Sequence, residues 1–277
     1  MTLDQAAAKT IIDIVRHAAK TEILPRFRML DPDAIDTKSG PDDLVTIADK
    51  SAEKVITQGV ARAFPEATIV GEEAVAEDET LLDTIRDAEM AVIIDPIDGT
   101  WNFARNLNQF GVMVAVVSRG ETVFGLLYDP LVDDWVTARK GEGAWYGRPD
   151  GTERRLHMSS TSKLSKMVGS TSIRRFPKET QYDLAGLFPD FDRMMSFGCA
   201  CHEYRTMAFG FVDFMLTAKL MPWDHAAGVM ILQEAGGYAA LLDGTPYSPT
   251  IHQGIMIGAN SRDSWESLRE KFDFLID

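Results

Sequence analysis

Cysteine is scarce in this chain: 277 residues contain two, Cys199 and Cys201. Thiols that close together make neither a staple between distant segments nor a zinc framework, so a reducing, cytoplasmic setting is the simplest expectation. Long apolar runs are missing as well, none approaching the roughly 20 residues of a membrane span. Asp4, Lys9 and Asp13 break up the opening residues, which do not read as a secretory signal peptide. Positive charge is the third shortage. With 28 Lys and Arg against 42 Asp and Glu, the formal net charge is -14, which argues against nucleic acid or an anionic membrane as partner. An anionic substrate stays compatible if a metal supplies local positive charge. Internal repeats and low-complexity segments are absent.

What is present is enough apolar sequence for one large domain or two intimate ones. Residues 3–27 carry an apolar stripe at helical spacing (Ile11, Ile14, Val15, Ala18) that stops at Pro25. Lys38 to Thr46 is polar and turn-rich and reads as a mobile loop. Ala48 to Phe64 reads as a second helix, with Asp49 placed to cap it or complement its dipole. Glu66 to Val70 is a candidate strand ending in Gly71-Glu72-Glu73, and strand-like runs follow from residue 90 to about 147. The character changes near residue 150, after which strands and helices alternate. The expected division is therefore 1–150 and 151–277.

The most informative stretch is Asp95-Pro96-Ile97-Asp98-Gly99-Thr100-Trp101-Asn102-Phe103. The β-branched run before it reads as a buried strand, and Pro96 is expected to end its ladder. Two carboxylates three residues apart at a strand end disfavour each other's charged forms unless a cation lies between them. Oxygen-only ligands point to Mg²⁺ rather than Zn²⁺. Gly99 permits a tight turn that turns the Ile97 carbonyl toward the same ion, with the Thr100 hydroxyl at its edge. D-x-x-D alone also describes a capped turn with solvent-facing acids, and G-E-E alone an exposed acidic turn. Further on, Asp224 in Pro222-Trp223-Asp224-His225-Ala226-Ala227-Gly228 stands where a helix should begin, which capping alone would explain.

Together these strings resemble the signatures of the inositol monophosphatase family, within the Mg²⁺-dependent, lithium-sensitive sugar-phosphatase superfamily. The resemblance runs in register over nearly the whole chain. It implies a layered α/β fold of α-β-α-β-α type, with an N-terminal α+β half on an antiparallel sheet and a C-terminal α/β half. Glu72, Asp95, the Ile97 carbonyl, Asp98 and Asp224 would hold two or three Mg²⁺ ions. Glu72 would act on the attacking water, assisted by Thr100 and by Asp49, which in the family pairs with that threonine. Gly99 and Thr100 would hold the phosphate. Lys38 matches the basic residue of the family's flexible loop, and Ala200 and Thr217 fall on the substrate wall. His225 occupies a variable position, behind the ligands or exposed. The implied activity is hydrolysis of a small polyol or sugar phosphate resembling inositol 1-phosphate. The same chemistry on histidinol phosphate, fructose 1,6-bisphosphate or adenosine 3',5'-bisphosphate is the alternative, and a metal-binding regulatory or scaffold protein on this fold is the alternative of another class. The family also implies a homodimer.

Departures lie on the substrate wall. Cys199-Ala200-Cys201 stands where relatives usually have a small Ser/Thr-Ala-Ala stretch. Thr217 replaces a glutamate that hydrogen-bonds ring hydroxyls, and Lys219 replaces a glycine. A substrate with different hydroxyl placement or an extra anionic group is one consequence; Glu203 or a partner subunit supplying the missing carboxylate is the other.

Overall fold

The computed structural model describes residues 3–31, 35–40 and 43–276, with the backbone alone described at residues 35, 38–40 and 43. Helix α1 (Gln5–Ala18) is capped by Asp4, whose side chain accepts from the Ala7 amide, and it runs on into a π-helical turn (Ala19–Ile23). The backbone of β1 (Ile35–Gly40) and β2 (Asp43–Thr46) pairs antiparallel where a loop was expected. Helix α2 (Ile47–Ala63) follows directly.

Next come β3 (Thr68–Gly71), α3 (Glu72–Glu77), β4 (Ala91–Asp98), α4 (Thr100–Ala104), β5 (Gly111–Ser118), β6 (Glu121–Asp129), β7 (Asp134–Arg139), β8 (Ala144–Gly147) and β9 (Glu153–Leu156). The seven strands β3 to β9 form one sheet in sequence order, with β3 and β4 parallel and every later neighbour antiparallel. Pro96 does not end the β4 ladder. The register shifts between Asp95, opposite Met113, and Asp98, opposite Gly111, so the proline's missing N–H falls at a bulge where no ladder bond is required.

The remaining elements are β10 (Val168–Thr171), α5 (Lys178–Gly186), β11 (Arg193–Met195), α6 (Ala200–Ala208), β12 (Phe214–Thr217), α7 (Pro222–Glu234), β13 (Tyr238–Leu241), β14 (Met256–Ala259) and α8 (Arg262–Phe272). Their strands make a five-stranded sheet in the order β11-β10-β12-β14-β13.

Burial sorts the elements into layers. Alternate strand residues of the large sheet face opposite ways. Val92, Ile94, Val112, Val114 and Val116 pack with Ile11, Val15, Ile56 and Val60 of α1 and α2. Ile93, Met113, Ala115 and Leu127 face the other way, onto Tyr204 of α6 and Ala227 and Ile231 of α7. Helices α6 and α7 also touch the small sheet, through Met215, Ala239 and Met256. The outer face of that sheet is covered by Trp265, Leu268 and Phe272 of α8 and Leu184 of α5. The result is a five-layer α-β-α-β-α stack. The central contact is close: a Cβ on Gly125 of β6 would lie 2.6 Å from the Ala227 carbonyl oxygen, and one on Gly228 would lie 2.0 Å from the Tyr204 ring. The site lies at one end of this middle layer, where β4, α6 and α7 all terminate or begin.

Candidate metal centre

Asp95 and Asp98 flank the β4 bulge, and the chain leaves the strand through Gly99, whose φ of +86° is left-handed. Few side chains tolerate that conformation, and a Cβ there would sit 2.7 Å from the Gln109 carbonyl oxygen and 3.2 Å from Cys199 Cβ. Gly99→Ala should therefore cost about 2–5 kcal/mol, combining backbone strain with overpacking. A urea titration would read it as a lower midpoint; an unchanged midpoint would show that the turn relaxes freely.

The other carboxylates arrive from helix starts. Asp224 stands in the first turn of α7. Oxygens of Asp95, Asp98 and Asp224 lie within 4.8 Å of one another, with Asp95 and Asp98 buried. Glu72, the first residue of α3, lines the same cavity of about 130 Å³, together with Ile97, Gly99, Thr100, Ala200 and Thr217. The structure thus brings together almost every residue singled out in the sequence. Asp49 stands just behind: its Oδ2 accepts from the Thr46 amide at 2.8 Å in a capping box for α2, while its Oδ1 is 3.1 Å from the Thr100 hydroxyl. Asp49 thus caps α2 and contacts Thr100 at the same time. The Thr100 hydroxyl is also 2.9 Å from the Ile97 carbonyl oxygen. The Lys38 side chain lies outside the described residues.

Several supports were not legible in the sequence. Glu53, one turn beyond Asp49, accepts from the Glu73 amide at 2.8 Å and the Ala74 amide at 2.9 Å, capping the helix that presents Glu72. Its only sequence signal is the i, i+4 spacing from Asp49. Asp98 accepts from the Cys199 thiol at 3.0 Å and from the Cys201 amide, so α6 directs its first N–H groups at a carboxylate. Burial pushes both thiols up, so Cys199 is a neutral donor. Asn102 ties the signature loop to the C-terminal half, donating at 2.8 Å to the carbonyls of both Gln109 and Phe197. His225 is neither exposed nor among the ligands. It is buried, 2.9 Å from the Tyr204 hydroxyl through Nδ1 and 2.6 Å from the Lys219 carbonyl through Nε2. A carbonyl can only accept, so Nε2 carries the proton and Tyr204 donates to Nδ1.

The electrostatics call for a cation. Burial pushes Asp98 up to about 7, with Asp224 adding repulsion. Asp95 is raised well above its ordinary range, by burial first and then by Glu72, Asp98 and Asp224. Burial also raises Asp224, but Lys219, whose Nζ is 3.1 Å from its Oδ2, together with other nearby cations, turns the net shift downward. Most telling is Asp95 Oδ1, a buried carboxylate oxygen without a hydrogen-bond partner among the described residues. Leaving such an atom unsatisfied is expensive, and a bound cation satisfies it. A buried, all-oxygen donor set with this orphan fits a hard divalent ion such as Mg²⁺.

Comparison with known proteins agrees. An inositol-1-monophosphatase of Bacillus subtilis (strain 168) is 32% identical over 228 residues, covering 81% of this chain and 82% of that protein. The Nus factor SuhB of Escherichia coli (strain K12) is 33% identical over 228 residues, 80% of this chain and 81% of that one. Among solved structures, an IMPase of Thermotoga maritima superposes with a TM-score of 0.83 at 25% identity, covering 98% of both chains. A profile described as the inositol monophosphatase family matches residues 3–276. With fold, carboxylate cluster and sequence in agreement, the chain belongs to the inositol monophosphatase family and is a phosphoric monoester hydrolase.

Proposed function

We propose that the protein hydrolyses a small polyol or sugar phosphate at the Asp95–Asp98–Asp224 centre, using two or three Mg²⁺ ions. The observation that carries the reading is the buried three-carboxylate cluster with an unpartnered Asp95 oxygen. Asp95, Asp98, Asp224, Glu72 and the Ile97 carbonyl would hold the ions. When bound, Mg²⁺ neutralises the phosphomonoester dianion and makes a coordinated water more acidic. Glu72, which lines the cavity, would take a proton from the attacking water. Asp49 fixes the Thr100 hydroxyl, and Thr100 in turn orients the water, while Gly99 and Thr100 present backbone amides to the phosphate. The Cys199 thiol and the Cys201 amide hold Asp98 in one rotamer. The division into halves 1–150 and 151–277 and a homodimeric state belong to the same reading. No helix among the described residues is long and apolar enough to cross a membrane.

The test is phosphate release from a panel including inositol 1-phosphate, with and without Mg²⁺; no Mg²⁺-dependent release from any ester overturns the reading. Li⁺ supplies a second check. With every carboxylate of the centre present, inhibition in the millimolar range is expected, and a flat dose curve would show a different ion arrangement. A regulatory role is the second reading, because the Escherichia coli relative is named a Nus factor. The complete carboxylate set favours catalysis over a scaffold that has lost it.

A further inference from the structure

Two cations stand at the rim of the centre, and neither is used in the chemistry above. Lys219 reaches the cavity from the turn between β12 and α7. The turn is built to hold it there. Its carbonyl is gripped by His225 at 2.6 Å, with Tyr204 behind, and the Thr217 hydroxyl is 3.3 Å from that carbonyl and 3.4 Å from the Lys219 amide. The Thr217 hydroxyl is thereby committed to its own turn and does not reproduce the ring-hydroxyl recognition of a glutamate. Lys219 Nζ has one ion-pair partner among the described residues, Asp224. Asp224 is also a ligand of the centre, so a divalent ion drawing on that carboxylate leaves the ammonium in want of an anion.

Arg175 is the second cation. It ends a 3₁₀ turn (Ile173–Arg175) and lies near enough to Lys219 and Asp224 for its charge to bear on both. No hydrogen bond or ion pair of its guanidinium is present among the described residues. It lines the 130 Å³ cavity and also a second cavity of about 630 Å³, which shares Trp101, Ser172 and Gly198 with the first. Ions, attacking water and phosphoryl group would take up the smaller space, which would leave the leaving alcohol to extend across this shared rim. The larger space offers Ile173, Met195 and Phe197 as apolar wall.

We infer that Lys219 and Arg175 clamp a second anionic group on the leaving alcohol, so that the substrate class is a phosphomonoester bearing another phosphate or a carboxylate rather than a neutral polyol phosphate. The inference rests on the phosphatase reading above. The support is geometric: both cations line the wall that the leaving alcohol would cross, and Arg175, shared by the two cavities, has no anionic partner among the described residues to compete for it.

The experiment compares kcat/KM with Mg²⁺ for glycerol 2-phosphate and inositol 1-phosphate against 2-phosphoglycerate, fructose 1,6-bisphosphate and adenosine 3',5'-bisphosphate. At least one doubly anionic ester should be preferred by tenfold or more, and which one separates carboxylate from phosphate. Arg175→Ala should lower that preference ratio by tenfold or more, chiefly through KM, and Arg175→Lys should restore part of it. Calorimetric titration of the Ca²⁺-loaded protein with the same esters gives a readout independent of turnover, with the same order of affinity and the same loss in Arg175→Ala. Lys219→Met should weaken the doubly anionic ligands more than the singly anionic ones in that titration. A preference for the neutral-alcohol esters, or an Arg175→Ala effect equal for all esters, overturns the inference while leaving the phosphatase reading intact. Hydrolysis of none of the esters would instead overturn the phosphatase reading, and the titration would still decide whether the clamp exists.

Discussion

Asp98→Asn is expected to lower Mg²⁺-dependent phosphate release on the order of a hundredfold or more, while metal-free stability holds or rises. The two effects have one cause. Without an ion, the Asp98 charge is disfavoured by burial and by Asp224, which is why its carboxyl is pushed up to about 7. Asn removes that charge at nearly constant shape and keeps an oxygen to accept from the Cys201 amide. The folded apo protein therefore gains or loses little, but the ion loses an anionic ligand. Phosphate release and thermal melts with and without Mg²⁺ measure both sides. Near-normal turnover in Asp98→Asn would remove Asp98 from the centre. A large loss of metal-free stability would show that its work is structural.

A metal-free melt should fall by roughly 6–12 °C between pH 5.5 and pH 8, and Mg²⁺ should restore part of the loss at pH 8. Asp49, Glu53, Asp98 and Glu203 are each pushed up to about 7, burial being the largest cause in every case. In the unfolded chain these groups ionise near pH 4. Between those limits the folded state retains protons that the unfolded state has released, so stability is full below about pH 4 and declines as pH climbs through 7. Asp224 runs the other way, its carboxyl being held low, but its contribution is lost only in acid, outside this window. Linkage gives up to about 2 kcal/mol per group over this interval; because neighbouring carboxylates share protons, about 3 kcal/mol is taken for the four together, and 2–4 °C per kcal/mol for a chain of this size gives the stated range. Of the four, Asp98 alone belongs to the proposed ligand set, so an ion there would remove its share of the penalty directly, and stabilisation by Mg²⁺ should grow with pH. A metal-free melting temperature that climbs across the same interval would mean the buried carboxylates are ionised and paired without metal.

The carboxylates gathered at the candidate centre were legible because each carries a local sequence mark: a short carboxylate spacing, a glycine, or a strand or helix end. Asp95-x-x-Asp98-Gly99, Gly71-Glu72 and Trp223-Asp224 each carry it. The helix and strand runs were legible from period alone, apart from boundary shifts such as the π-helical turn after α1. What failed to show was anything made by tertiary convergence. Glu53 reads as a surface acid of an amphipathic helix, and only the fold reveals that it caps α3 across 20 residues of sequence. Arg175 belongs to no motif and gains significance from standing between two cavities. For His225 a variable position left two placements open, behind the ligands or exposed, and its two hydrogen bonds select the buried one. Pro96 misled for a local reason: a proline stops a regular ladder but is tolerated at a bulge.

The middle layer of helices has a consequence for how the molecule comes apart. Residues of both sheets and of α6 and α7 belong to a single apolar cluster, from Ile93 and Leu127 on one side to Met215 and Met256 on the other. Cutting the chain between residues 156 and 168 would sever no sheet, yet each fragment would expose one wall of that cluster to water. The halves are thus separable on paper but not in solution, and a shear between the sheets would also part Asp95 and Asp98 from Asp224. An ion held by these carboxylates would fasten that seam. Local opening at this seam would then separate the carboxylates that the proposed chemistry needs while exposing the shared apolar cluster to water.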